Sequence, residues 1–158
     1  MDMFVQMSTI GDPMFSLTTE YALRAAVWLA EKQGLPQTTQ QIASATNVPV
    51  NYLSKVLQSL GKAGLVHALR GKHGGFELAK APSSTSVLEI INVVEPIPRI
   101  RACPLGLKTH SQSLCPLHKR LDQAMQIFEE SFASATLADL LTRTSQPSLC
   151  NFAATKGT

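Results

Sequence analysis

Cysteines, histidines and a glycine-rich basic run are the parts of this chain whose residue types could do chemistry. The three cysteines, Cys103, Cys115 and Cys150, are odd in number and loosely spaced. That argues against a disulfide framework and leaves free thiols or metal ligands. The run Arg70-Gly71-Lys72-His73-Gly74-Gly75 sets two cations and a histidine among glycines. Glycine lets a backbone turn sharply and come close to a groove, and arginine suits a narrow minor groove. A nucleotide loop fits poorly: six residues separate Gly64 from Gly71-Lys72, and His73 stands where a phosphate loop needs Ser or Thr. No serine, histidine and acid set brings a supporting motif for hydrolysis. An enzyme is therefore not expected.

The placement of charge points the same way. The 158 residues carry a formal net charge of +3, with 44% hydrophobic and 16% charged residues. Between Val50 and Lys80, five cations (Lys55, Lys62, Arg70, Lys72, Lys80) face one acid, Glu77, so this segment alone carries +4. A phosphate backbone selects such a local cationic surface, and a solvated basic face is the competing reading. The length suits one compact domain. The longest apolar run, Ala25 to Ala30, falls far short of the roughly 20 residues that cross a bilayer. The N-terminus has Asp2 and no basic stretch before an apolar one, unlike a secretory signal. A cytoplasmic protein without membrane contact is expected.

A series of short elements must position these residues. Leu17, Tyr21, Ala25, Trp28 and Leu29 recur at helical spacing, with Thr18 or Thr19 as cap and Glu20 in the first turn. The helix runs to about Gln33 and is stopped by Gly34 and Pro36. A second helix opens at Thr38 or Thr39, turns Ile42, Ala43 and Ala45 inward and closes at Asn47. Pro49 starts a third, striped by Leu53, Val56, Leu57 and Leu60 and ended by Gly61 and Gly64. The pair makes a helix-turn-helix. Leu65 to Leu69 and Phe76 to Ala79 read as strands around the basic turn, which makes the hairpin a wing. A fourth helix, Val87 to Val94, shows Leu88, Ile91 and Val94 on one face. Residues 96–116 form a proline-rich loop long enough to be functional, and a long helix from Leu117 bears a stripe of Leu121, Met125, Phe128 and Phe132. Residues 1–13 read as a flexible N-terminal extension and 143–158 as a flexible tail holding Cys150.

These elements gather a candidate DNA contact set. Asn51, Tyr52, Ser54 and Lys55 lie at the N-terminal end of the third helix, where a recognition helix meets base edges and phosphates. Thr39 and Gln40 begin the second helix and can donate to phosphates. The wing adds Arg70, Gly71, Lys72, His73, Gly74 and Gly75, and His67 and His73 face DNA or solvent. An ordinary turn on a protein-binding winged domain is the bland alternative.

Three stretches, Leu17-Thr18-Thr19-Glu20-Tyr21-Ala22-Leu23-Arg24, then Tyr52-Leu53, then Leu69-Arg70-Gly71-Lys72-His73-Gly74-Gly75-Phe76-Glu77-Leu78-Ala79, carry a resemblance. The chain resembles the winged helix-turn-helix repressors typified by the iron-sulfur cluster regulator IscR and the nitric-oxide-sensitive repressor NsrR. Similarity covers about residues 14–135, and the wing is its most specific part. The resemblance implies a mostly α fold with a small β-hairpin wing and a long C-terminal dimerisation helix. It implies a homodimer that binds double-stranded DNA at a palindromic promoter site. Residues 14–95 would be the DNA-binding domain, 96–116 a sensor loop and 117–142 the dimerisation region. The stripe from Leu121 to Phe132 matches the pairing element, although taken alone it serves equally as intramolecular core.

Cluster-binding members of that family carry three cysteines in this loop at five-residue intervals, and IscR-like ones a histidine two residues beyond the last. Here the frame runs Cys103, Thr109, Cys115, His118, with threonine at the middle position. The resemblance thus implies Cys103, Cys115 and His118 as metal ligands, with His110 a substitute by a one-residue shift. Glu20 aligns with an acid that some members contribute from the partner subunit. Such a mixed set suits a 2Fe–2S cluster better than 4Fe–4S. A zinc site of two Cys and two His, and a regulator without any cluster, are the competing readings. The expected function is a repressor responding to iron–sulfur, redox or nitric-oxide status. The alternatives are a clusterless regulator sensing thiol oxidation, a small molecule or a partner protein, and a protein-interaction module without DNA binding.

Overall fold

Small side chains set the centre of the fold. Helix α1 (Leu17–Glu31) buries Ala22, Ala25, Ala26 and Ala30 together with Val27 and Leu29, and the alanines let neighbouring helices approach its backbone closely. The coordinates are a computed structural model that describes residues 14–103 and 114–141. The expected extension (1–13), Thr109, His110 and the tail with Cys150 lie outside the described residues. The cap of α1 is Ser16, which accepts from the Thr19 amide, and neither Thr18 nor Thr19 takes that role. Thr19 shares the phase of Ala22 and Ala26 and is buried, its hydroxyl donating to Glu95 at 2.8 Å.

Helix α2 (Thr39–Thr46) opens with a reciprocal capping box between Thr38 and Gln41 and closes at Asn47, which adopts a left-handed φ of 54°. Helix α3 (Val50–Lys62) follows, burying Leu53, Val56, Leu57 and Leu60 against α1 and α2. Pro49 occupies its N-cap, and the helix continues through Gly61, contrary to expectation. Gly64, at φ 72°, makes the turn that releases the chain.

Strands β1 (Val66–Leu69) and β2 (Gly75–Leu78) pair antiparallel, with Val66 opposite Leu78 and Leu69 opposite Gly75. Near its turn, the returning strand of this hairpin is fastened to the segment before α2 by two backbone bonds between Gln37 and Phe76, 2.9 and 2.7 Å long. Helix α4 (Val87–Val94) has its own capping box, Ser86 with Glu89. It buries Val87, Ile90 and Ile91, so the core face is rotated from the expected Leu88, Ile91, Val94 stripe. That face packs against α1 and α3. After the long helix α5 (Pro116–Ser134) the chain folds back, Val87 donating to Ala135 at 2.8 Å and Leu137 to Thr85 at 2.9 Å, and a short helix α6 (Leu137–Leu141) seals the core with a fully buried Leu137.

Helix α5 itself buries no residue fully. Phe128 and Phe132 of the expected stripe turn toward their own domain, where Phe15 meets both rings at centroid distances of 5.7 Å. Among the described residues no helix is long and apolar enough to cross a membrane. The whole is a mostly helical winged helix-turn-helix with a two-stranded wing and a long C-terminal helix.

Candidate nucleic-acid interface and thiol site

On the recognition helix, Asn51, Tyr52 and Lys55 are exposed along the first turns of α3. Tyr52 is 55% exposed and leans edge-on against Tyr21 of α1, with ring centroids 6.1 Å apart. Ser54 behaves differently: its hydroxyl donates to the Val50 carbonyl at 2.9 Å and is spent on its own helix. Gln40 is exposed and Thr39 half-buried at the start of α2.

The wing presents Arg70, Gly71, Lys72 and His73 at its exposed tip. Gly71 has φ 108° and open space where a side chain would be. Gly74 and Gly75 serve packing. A Cβ on Gly75 would lie 2.6 Å from the Gln37 backbone, so this glycine is what allows the hairpin to dock on the pre-α2 segment. Of the five cations in the basic segment, Lys80 is paired with Glu89 at 3.1 Å. Lys55, Lys62, Arg70 and Lys72 have no ion-pair partner among the described residues. On the wing strands His67 meets Glu77 at 2.7 Å, so this histidine is tied across the hairpin rather than aimed at a ligand.

Cys115 is the N-cap of α5, its Sγ 3.2 Å from His118 Nδ1 and 3.5 Å from the His118 amide. A CxxH step at a helix start puts thiol and imidazole in contact. Cys103 is also free and half-buried. Among the described residues no three His, Cys, Asp or Glu side chains already cluster as a metal site. Glu20 is elsewhere in its own chain, lining a cavity of about 220 Å³ with Arg24, Phe132 and Leu140 near the far end of α5.

A family model described as Rrf2, an iron-dependent transcriptional regulator, matches residues 15–143. The chain belongs to the Rrf2 family. A curated Rrf2 relative, the HTH-type transcriptional regulator NsrR of Bacillus licheniformis, is 32% identical over 126 residues, spanning 78% of this chain and 88% of the relative. Among solved structures, T. potens IscR superposes with a TM-score of 0.70 at 28% identity, covering 85% of this chain and 94% of that one. CymR, the global cysteine regulator of B. subtilis, gives 0.69 at 29% identity, covering 82% and 96%. As an Rrf2 protein the chain is a DNA-binding transcriptional regulator and not an enzyme.

Sequence reasoning missed one group in this Rrf2 regulator. Arg99 sends Nε and Nη2 to the two carboxylate oxygens of Asp122 at 2.8 and 2.9 Å, and Nη1 to Glu129 at 3.1 Å. Asp122 also accepts the Ile100 amide at 2.9 Å, and Arg99 holds its carboxyl at about 2. The i, i+7 spacing of the two acids on α5 was the signal that marked one helix side as acidic. Their arginine lay across a proline-rich loop, where periodicity carries no information.

Proposed function

We propose that this regulator is a homodimeric repressor whose hold on a palindromic promoter site depends on the iron–sulfur, redox or nitric-oxide state of a site built on Cys103, Cys115 and His118. In this reading Thr39, Gln40, Asn51, Tyr52, Lys55, Arg70 and Lys72 hold one half-site per subunit, and half-sites lie about one helical turn or a multiple apart. The carrying observation is the contact of Cys115 with His118 at the start of α5, on the helix whose outer side is left uncovered. Leu117 (63% exposed), Leu121 (42%) and Ile127 (68%) are the large apolar side chains that α5 leaves open, and a second copy would bury them.

The described donors suit an iron–sulfur cluster: two thiolates and an imidazole, with Glu20 of a second subunit as fourth ligand. Glu20 lies beside Phe132, which stands 17 residues along α5 from Cys115. At 1.5 Å per residue that is about 25 Å, so Glu20 would reach a thiol site only on an antiparallel partner helix. A bound cluster supplies reversible electron uptake and reactivity toward nitric oxide. The test is absorption, iron and sulfide content of anaerobically purified protein, then operator binding before and after oxygen or nitric oxide. Colourless protein free of iron and sulfide overturns the cluster. A clusterless thiol sensor is the second reading, favoured by the same Cys115–His118 contact at a helix N-terminus. It requires that Cys115→Ser abolish any response of DNA affinity to oxidants.

A further inference from the structure

The two thiols come from separate stretches of chain, and the ion-pair cluster outside the ligand frame is what joins those stretches. Arg99 and Ile100 precede Cys103 by four and three residues, and both are tied to Asp122, which lies one turn beyond His118 on α5. Three residues of extended chain span about 10 Å at most, so fixing Ile100 on the helix confines Cys103 to a short arc around the first turns of α5. The attachment has direction as well as charge. A two-pronged arginine–carboxylate contact sets the angle of the guanidinium plane, a third contact to Glu129 limits its rotation, and the Ile100 amide adds a backbone point of attachment. Lysine offers a single point charge and would keep proximity but lose that orientation.

We infer that Arg99 is a positioning residue: with Asp122 it clamps the chain before Cys103 onto α5 and so keeps the Cys103 thiol within a short reach of the helix start that carries Cys115 and His118, three side chains that this structure does not itself gather into one cluster. The clamp joins loop and helix mechanically, so a change in what the two thiols hold is passed to α5 through Asp122 and Glu129. The inference rests on the proposed function in placing both thiols in one site, but it needs no cluster to be present.

The test uses the full chain carrying Cys150→Ser, which leaves two thiols. The readout is the rate at which a short bifunctional maleimide bridges Cys103 to Cys115, followed by mass spectrometry, with single-ended alkylation of each thiol as reference. Arg99→Ala and Asp122→Asn are expected to slow bridging about tenfold by lowering the effective concentration of one thiol at the other. Single-ended alkylation should change little, and Arg99→Lys should restore part of the rate. Operator binding and circular dichroism confirm that each variant is folded. Equal bridging rates in the parent, Arg99→Ala and Asp122→Asn overturn the clamp, as does a parent in which no bridging occurs. A parent devoid of iron sinks the cluster reading alone and leaves the bridging comparison intact.

Discussion

Single residues on the wing divide into exposed cations at its tip, proposed to meet DNA, and glycines that build the hairpin, and the two kinds are expected to fail differently. Arg70→Ala with Lys72→Ala removes two unpaired cations and should weaken binding to all sequences alike, lowering the slope of log affinity against log salt by about two, roughly one per lost phosphate contact. Fluorescence anisotropy across a salt series measures this. Gly75→Ala should instead undo the docking of the wing strand on the pre-α2 segment, because the new Cβ meets Gln37 backbone atoms, which cannot swing aside as the end of a side chain can. A loss of about 2 kcal/mol or more in denaturant unfolding is expected, at the severe end for a point change. Titration supplies a third prediction. Glu95 accepts from the Ser16 amide and from the Ser16 and Thr19 hydroxyls, which lowers its pKa from the usual 4.5. A depressed acid contributes stability above its unfolded pKa and loses it as pH falls through the folded one. Melting temperature should therefore drop below about pH 4.5, and Glu95→Gln should flatten that limb. Asp122, held at about 2 by Arg99, extends the same loss to lower pH.

Among the elements, α5 is the one whose assignment changed most between pattern and packing. Its stripe of Leu121, Met125, Phe128 and Phe132 was visible as a 3.6-residue repeat, and a repeat states only that one side is apolar. The aromatic pair Phe128 and Phe132 turns inward to Phe15, and the large apolar side chains left open are Leu117, Leu121 and Ile127. Ile127→Glu should therefore shift a dimer toward monomer in analytical ultracentrifugation and weaken operator binding while leaving the monomer fold unchanged. Leu137→Ala should act in the opposite way. This fully buried side chain on α6 closes the core against α1, and its truncation should cost roughly 2–5 kcal/mol of stability. The five-residue helix that carries it is too short to show a period, which is why it went unseen beside the well-marked α5.

At the scale of the molecule, the thiol-bearing helix α5 lies outside the hydrophobic core of the winged domain, and α1 meets both. Tyr21 touches the recognition helix, and Glu20, one residue earlier, faces the end of α5. The order of helix, turn, helix and wing was legible from the chain alone, because capping residues, glycines and alternating polarity act within a few positions of one another. The exposed, unpaired cations Lys55, Arg70 and Lys72 could be picked out as a basic segment, whereas the contact of Cys115 with His118 came from the structure, a spacing of three at a helix start bringing the side chains together. Only the tertiary structure showed that Gly75 is needed for docking on Gln37, that Ser54 is satisfied within its own helix, that Lys80 is neutralised by Glu89, and that Arg99 fastens the chain before Cys103 to α5. Those decisions depend on groups distant in sequence meeting in space. Local propensity fixes which elements form, whereas packing fixes which of their faces and charges remain free to act.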